Sequence, residues 1–307
     1  MLQLQFGNYL KHVHLRRTCK MANIHTSLNT KAKTKEILIR ILLYAQVALM
    51  LALVLLPVIF IVSSAFNSGT HLRQVSGLFP DNPTLAAFIR LFEETNFTRW
   101  YRNTLFIATT TTVLAVIFSS TMGFVFGRLR FKGKRLMLIS MLVMQMFPSF
   151  MALIAMYVLF LQLGMLDNHW SLILIYSAGA IPFNTWLIKG YLNGIPLELD
   201  ESAMLDGANK FQIFTRIVFP LMRPIIAFVA FNAFMFPWMD FMLPRLLLRS
   251  NENLTIGVGL HELITGDLRD FTAFAAGAVL VAVPMVIGFY IFQKHIIEGI
   301  TAGANKG

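Results

Sequence analysis

The chain is 307 residues long, 56% hydrophobic and only 13% charged, with a mean hydropathy of +0.65. A soluble globular chain is about 25% charged, so an ordinary soluble enzyme and a disordered protein are excluded, and the single cysteine, Cys19, excludes a disulfide scaffold and a cysteine-based metal site. The few charges are lopsided, 26 Lys and Arg against 15 Asp and Glu for a net of +11; in a soluble chain that balance suggests nucleic acid, but here it depends on where the charges sit.

Residues 1–36 form a polar, basic tail in which His12, His14 and His25 lack the spacing of a helix-borne ligand pair and read as solvated. Met21 opens a more typical short basic leader, so the first 20 residues are expected to lie outside the mature chain. Residues 41–66 then hold no Asp, Glu, Lys or Arg over 26 positions. That run is too long for the apolar part of a signal peptide, about 7–15 residues, and it places a first membrane span over residues 37–66. An extracytoplasmic loop, 67–101, follows. The remainder, 102–295, carries five further spans, because about 20 apolar residues cross the hydrocarbon core. Their charge-free runs are 103–127, 136–166, 168–188, 224–244 (interrupted only by Asp240) and 271–293. Residues 296–307 form a C-terminal tail. Since an open sheet cannot satisfy its backbone in lipid, the expectation is an all-α membrane protein with six transmembrane helices.

Six spans put both termini on one side. That side collects nineteen Lys and Arg, including Arg128, Arg130, Lys132, Lys134 and Arg135 in one short link, against seven on the other. Basic residues stay cytoplasmic, so both termini are expected in the cytoplasm, and the charge excess records insertion topology instead of a nucleic-acid partner.

The cytoplasmic segment 189–224 differs from the other links in being long and helical in pattern. Pro196 suits a first helical turn, and Glu198, Asp200 and Glu201 complement the positive end of that helix. Asp206-Gly207 is a break. A second helix is expected to carry Phe211, Phe214, Ile217 and Val218 on one face, ending at Pro220 and Pro224. An amphipathic hairpin on the lipid surface is the competing reading. With four basic and four acidic residues the segment is neutral, which gives little attraction to anionic lipid.

Glu201, Ser202, Ala203, Asp206, Gly207 and Ala208, followed by Ile217 and Pro220, resemble the EAA motif of ABC-importer permeases, departing from it only at Ser202, where the motif has alanine. The resemblance implies a type I ABC importer permease fold and makes this segment a coupling helix that docks on an ATPase subunit, with Glu201 paired to a basic residue there. The C-terminal residues Gly299, Thr301, Gly303, Ala304, Lys306 and Gly307 resemble the tail of carbohydrate-uptake permeases of the MalG-like maltose and maltodextrin type, which reaches into the ATPase dimer interface. It implies as partners a homologous second permease, an ABC ATPase dimer, an extracytoplasmic solute-binding protein and the lipid bilayer of a bacterial plasma membrane. It also implies that this chain binds no cofactor, ATP and magnesium belonging to the ATPase.

The remaining signals are weaker. "GRLRFKGK", from Gly127 to Lys134, has the wrong glycine spacing for a phosphate loop and Arg135 where Ser or Thr must meet magnesium. No paired catalytic carboxylates, zinc-binding histidine pair or nucleophile elbow appears, so an enzyme reading has nothing to rest on. Gly123 with Gly127, and Ala275 to Ala278, permit close helix approach. Among polar residues inside spans, Gln145, Asn184, Asn232 and Asp240, the possible pathway-lining pair is Asn232 and Asp240, with Phe234, Phe236 and Trp238 supplying rings nearby. An ion-coupled secondary transporter would carry more acids inside its spans. The loop 245–270 reads as polar and extracytoplasmic, placed to meet the solute-binding protein.

Overall fold

The computed structural model describes residues 36–72, 77–266 and 269–304, with residues 149 and 295–304 described by backbone alone. The chain divides after Phe60 into two units. The described part of the first, residues 36–60, is one uninterrupted stretch of helix belonging to α1 (Glu36–Ala65). An Arg40–Glu36 ion pair of 2.7 Å, one turn apart and exposed, adds a few tenths of a kcal/mol near its start.

The second unit is built of helices joined by turns and loops, with no strand among its described residues. It comprises α2 (Ala86–Glu93), α3 (Phe97–Arg128), α4 (Lys134–Gln145), α5 (Leu153–Gln162), α6 (His169–Leu192) and α7 (Glu198–Leu205). Then come α8 (Lys210–Leu221), α9 (Arg223–Met239), α10 (Met242–Leu247), α11 (Ile256–Thr265) and α12 (Phe271–Ala304). Among the described residues four helices are long and apolar enough to cross a membrane unbroken, and the count reaches six when the bent pairs α4–α5 and α8–α9 are each taken as one span.

Two of the six expected spans are therefore not straight. The run 136–166 bends by 83° where Pro148, at φ −62° and ψ 119°, leaves the helical region. Proline has no N–H to give the preceding turn and disfavours helical geometry in the residue before it. A second bend, of 80°, falls at Met222, and Pro224 sits in the first turn of the helix that follows. The fifth run also ends early: α9 stops at Met239, and Asp240 is extended at φ −76° and ψ 136°. The polar loop expected over 245–270 is likewise a packed element, since α11 buries Ile256, Leu260 and Leu263 at helical spacing, with Val258 buried beside them.

α3 and α6 form the spine. A Cβ added at Gly123 would meet Ile188 at 2.4 Å, and one at Gly127 would meet Leu192 at 2.8 Å, so the small pair read from the sequence brings helices of this same chain together. Gly277 serves the same purpose on α12, where its missing side chain leaves room for Leu260 at 2.3 Å. The buried hydrophobics form two clusters. One gathers Phe97, Trp100, Ile107, Leu172, Ile173, Leu247, Ile256 and Leu263 near the Phe97 end of α3. The other gathers Phe124, Ile188, Leu192, Ala203, Ile213, Val218, Met222 and Ile225 near the Arg128 end. Between them the buried positions turn polar: Thr111, Ser119 and Ser120 on α3, Ser177, Asn184 and Thr185 on α6.

At the Phe97 end, side chains of α3 hold the segment that leads into α11. Asn103 donates to the Glu252 and Leu254 carbonyls at 2.8 and 3.0 Å, and the Thr104 hydroxyl accepts from the Ile256 N–H at 2.8 Å. The α2–α12 contact rests on Arg90, whose Nε lies 2.7 Å from Asp270 Oδ2 while Nη2 donates to the Gly69 carbonyl and Thr272. Burial pushes the Asp270 carboxyl up, but hydrogen bonds from Arg90, the Ala273 N–H and Thr272, with the Arg90 charge, hold it below the usual carboxylate range. A depressed folded value stabilises the fold above the unfolded value of about 3.9 and loses that contribution as pH falls further. Asp270→Asn should therefore lower the unfolding midpoint at pH 7 and flatten its decline below about pH 4, which unfolding in detergent followed by circular dichroism would measure.

Candidate functional site

Two places concentrate the candidate residues: the α7–α8 hairpin and a cavity beside α6 and α9. In the hairpin, the motif residues build a helix stop. α7 ends at Leu205 with Asp206 as its cap, and Gly207 follows at φ +85°. Its N–H donates to the Met204 carbonyl at 3.1 Å while the Ala208 N–H reaches back to the Ala203 carbonyl at 2.9 Å. That pair of bonds is a Schellman motif, and it needs a residue comfortable in the left-handed region at position 207. Ala203 is buried and Ala208 half-buried in the same apolar cluster, so small residues at these positions let the turn close. Asn209 then opens α8 with a capping box, accepting from the Gln212 N–H while its own N–H meets Gln212 Oε1.

Pro196 lies just outside α7, whose first residue is Glu198. The expected apolar face of α8 also shifts. Residues Ile213–Val218 form a π-turn, in which neighbours on one face stand five apart, and Ile213 and Val218 are the pair that is buried. Pro220 cannot donate to the Arg216 carbonyl, and the wider turn just ahead of it accommodates that loss. Phe214 still packs, with its ring 5.1 Å from Phe124, and Ile217 is partly buried beside it; Phe211 is exposed instead.

The hairpin is pinned by a pair that sequence reading missed. Arg128, the last residue of α3, places Nε 3.0 Å from Asp200 Oδ2, with both side chains less than a tenth exposed. Its Nη2 donates to the Ile195 carbonyl at 3.0 Å. The contact is ionic without an aligned hydrogen bond, and Asp200 Oδ1 has no donor among the described residues. Burial pushes the Asp200 carboxyl up, the Arg128 charge pulls it down, the neighbouring Glu201 adds to the rise, and the net direction is upward. The signal was available: Asp200 lies three residues before buried Ala203, on the same helix face. Glu201, Ser202, Met204, Leu205 and Asp206 are exposed. Ser202 donates its hydroxyl to the Glu198 carbonyl at 2.7 Å, so the departure from alanine is absorbed within the helix.

The second place is a cavity of about 630 Å³ lined from α3, α5, α6, α9 and α10. It brings together Asn232 and Asp240 with Asn184, whereas Gln145 is exposed elsewhere and turns its amide to the Met141 carbonyl. Asp240 accepts from the Tyr176 hydroxyl at 2.7 Å and from the Met242 N–H at 2.9 Å. Phe236 lines the cavity with its ring 5.6 Å from Tyr176. The other two expected rings face away: Phe234 stacks on Trp238, which is buried and donates to the Val281 carbonyl at 3.2 Å. Phe183 and Phe150 supply the further aromatic walls.

Of the C-terminal candidates, α12 carries its backbone through Ala304. The surroundings of Gly299, Thr301, Gly303 and Ala304, and all of Lys306 and Gly307, lie outside what is described, as does the tail before Glu36.

The family model for binding-protein-dependent transport system inner membrane components matches residues 119–301. The chain is similar to the maltodextrin transport system permease protein MdxG of Bacillus subtilis strain 168, 43% identical over 280 residues that cover 90% of this chain and 99% of the relative. It is also similar to the galactooligosaccharides transport system permease protein GanQ of the same organism, 40% identical over 268 residues, 86% of this chain and 94% of that one. Among solved structures it resembles a chain of a bacterial ABC transporter involved in the import of the acidic polysaccharide alginate. That match has a TM-score of 0.73 at 23% identity, covering 83% of this chain and 95% of the other, and it shows the fold.

Proposed function

Because the chain belongs to the binding-protein-dependent transport system inner membrane component family, we propose that it is one permease of an ABC importer for maltodextrin or a related oligosaccharide. It is a multi-pass membrane transport subunit and not an enzyme. Relatives whose names specify maltodextrin and galactooligosaccharides support the substrate class. In this reading a homologous second permease completes the pathway, and a solute-binding protein delivers sugar from outside. An ATPase dimer binds ATP and magnesium, and no nucleic acid is involved. Both termini are cytoplasmic in a bacterial plasma membrane, as the nineteen-to-seven division of Lys and Arg supports.

The observation that carries the reading is the hairpin itself. Its motif residues spend their backbone and small side chains on a rigid turn, and leave Glu201, Met204 and Leu205 facing outward, uncovered by any of the described residues. An exposed apolar knob with one acid beside it suits a cleft on a partner. Closure of the ATPase dimer would push on α7, and the Arg128–Asp200 contact would pass that movement to α3, whose far half borders the cavity. Alternating access follows if spans three to six, from α4 onward, rearrange with that movement and open the cavity outward. The tail residues from Gly299 to Gly307 would meet the ATPase dimer as a second contact.

Glu201 is exposed, so Glu201→Lys should leave the unfolding midpoint within about 1 °C, a surface substitution costing no more than about 0.5 kcal/mol. In vesicles holding the full complex, the same change should cut sugar uptake at least about tenfold while ATP hydrolysis continues. Uptake that remains coupled and undiminished would refute the docking role.

A further inference from the structure

The start of α4 carries an arrangement that neither topology nor helix packing calls for. Its N-cap is Gly133, left-handed at φ +87° and without a side chain to cap the helix, and Lys134 and Arg135 follow in the first turn with no acid beside them. The positive-inside rule asks only for cations somewhere in the link. In a first turn they meet the positive end of the helix dipole, which disfavours them. The charges of Lys189, in the last turn of α6, and of Arg130 also act on Lys134. Lys134 Nζ donates to the Leu129 carbonyl at 3.0 Å. None of Arg130, Lys134, Arg135 and Lys189 has an ion-pair partner among the described residues. Neither the link, nor α4, nor α6 contains an Asp or Glu, so the cluster lacks a counter-charge and its members repel one another.

Lys134 and Arg135 stand at one side of a groove of about 940 Å³, whose other walls include Phe131, Leu138, Ile139 and Trp186. Trp186 ties α6 to α4, its indole N–H donating to the Leu138 carbonyl at 3.0 Å, and Lys189 Nζ lies 5.3 Å from its ring centre. Indoles near helix ends favour the boundary between headgroups and chains. From that boundary the apolar wall continues along α4 into the span: Leu136, Ile139 and Val143, at i, i+3 and i+7, are exposed on one face.

We propose that this groove binds an anionic phospholipid, with its phosphate against Lys134 and Arg135 at the start of α4 and one acyl chain along Leu136, Ile139 and Val143. The site goes beyond the importer reading and requires only that the chain span a membrane. The phosphate supplies the charge that the cluster lacks, and the first-turn N–H groups, which have no carbonyl within the helix, can donate to it. A free phosphate would use the cations but leave the apolar wall unmatched, and a zwitterionic lipid would bring its own ammonium group against the cluster. Basic pockets between transmembrane helices at a membrane boundary hold anionic headgroups in this way. A lipid seated there would brace the start of α4 against the end of α6.

The test uses the full chain, purified with the subunits that accompany it and returned to phosphatidylcholine vesicles holding a trace of phosphatidylglycerol with a photoreactive diazirine in its acyl chain. Label is expected in peptides from the first two turns of α4 and the last two turns of α6. Excess phosphatidylglycerol should suppress it, and the same concentration of glycerol phosphate, which has the phosphate without the chains, should not. Phosphatidylcholine bearing the same diazirine should label these peptides no more than the other exposed spans. Lys134→Gln and Arg135→Gln should each reduce the labelling about tenfold, the worth of one charge-assisted hydrogen bond. Lys132→Gln, which removes an equal charge from the same link outside the groove, should reduce it less than about threefold. A second reading is thermal. In phosphatidylcholine alone Arg135→Gln should unfold no earlier than wild type, since the cation is unfavourable there without its lipid. Added phosphatidylglycerol should then raise the wild-type midpoint more than the variant's. Equal labelling by the two lipids, competition by glycerol phosphate, equal effects of Lys134→Gln and Lys132→Gln, or label absent from α4 and α6 would each overturn the site.

Discussion

Arg128→Met should cost the folded chain about 3–5 kcal/mol, the largest single loss expected in the molecule. The substitution keeps the length of the side chain but leaves Asp200 buried without its cation, and breaking a buried pair from one side costs this much. The pair is costly to maintain even when intact, since Asp200 Oδ1 lacks a donor among the described residues and burial already raises the carboxyl's affinity for protons. Two consequences separate this account from simple loss of packing. First, removing both charges in Arg128→Met/Asp200→Leu should recover most of the stability, because apolar replacement of an entire buried pair is often neutral or better. Second, the single variant should become more pH-dependent than the wild type, because losing the Arg128 charge removes the one influence that lowers the Asp200 carboxyl. An Asp200 with a folded value above the ordinary one stabilises the fold below about pH 4 and loses that contribution as pH rises through the folded value, so the deficit should shrink on acidification. Unfolding midpoints in detergent from pH 4 to 8 would measure both, and a double variant no better than the single would sink the idea. Transport should not return with stability, since the double variant has no charged contact between α3 and α7.

The second large effect concerns Gly123. A Cβ there would stand 2.4 Å from Ile188 Cγ2 and 2.7 Å from its Cβ, and Ile188 is fully buried. Gly123→Leu therefore has to separate α3 from α6 at the end that carries the hairpin, at a cost of about 3 kcal/mol, the upper end for overpacking. Ile188→Ala in the same chain should return part of that loss by opening the space from the other side. The coupling energy from the four-member mutant cycle should exceed about 1 kcal/mol, as residues in direct contact show. Additive effects would mean that Gly123 is not where the helices meet. The equivalent change at Gly190, whose added Cβ would meet nothing within 4 Å, serves as a control for the loss of backbone freedom alone.

Much of this architecture was legible before folding was considered. Runs without charge located the spans, because lipid penalises each exposed polar group whatever the tertiary contacts. Asp206-Gly207 marked the hairpin turn, because only glycine occupies the left-handed region without strain. The small pair at Gly123 and Gly127 marked a close approach but not its partner, which periodicity cannot supply. The π-turn in α8 and the helix within 245–270 were missed for a related reason: both depend on which side chains the surrounding helices will bury. Ile213 and Val218 stand five residues apart, a spacing favoured only once both meet the same core. Ile256 to Leu263 resembled a loop because its apolar residues are too few to span a membrane, yet they suffice to fill the space beside α3 and α12.

The sequence by itself determined that the chain lives in a membrane, how many times it can cross, and which cytoplasmic segment carries the coupling motif. These are local matters, decided by the transfer free energy of a run or a glycine's dihedral freedom. Only the tertiary structure decided which polar groups meet. Asp200 is an ordinary acid in a first helical turn until α3 brings Arg128 to 3.0 Å from it, and Asp240 is an interruption in an apolar run until Tyr176, 64 residues earlier, donates to it across the cavity. A helical period specifies the face a residue occupies, while its partner on another helix is set by register and crossing, which arise when the helices pack. The Arg128–Asp200 pair proposed to pass force from α7 to α3 is of that second kind.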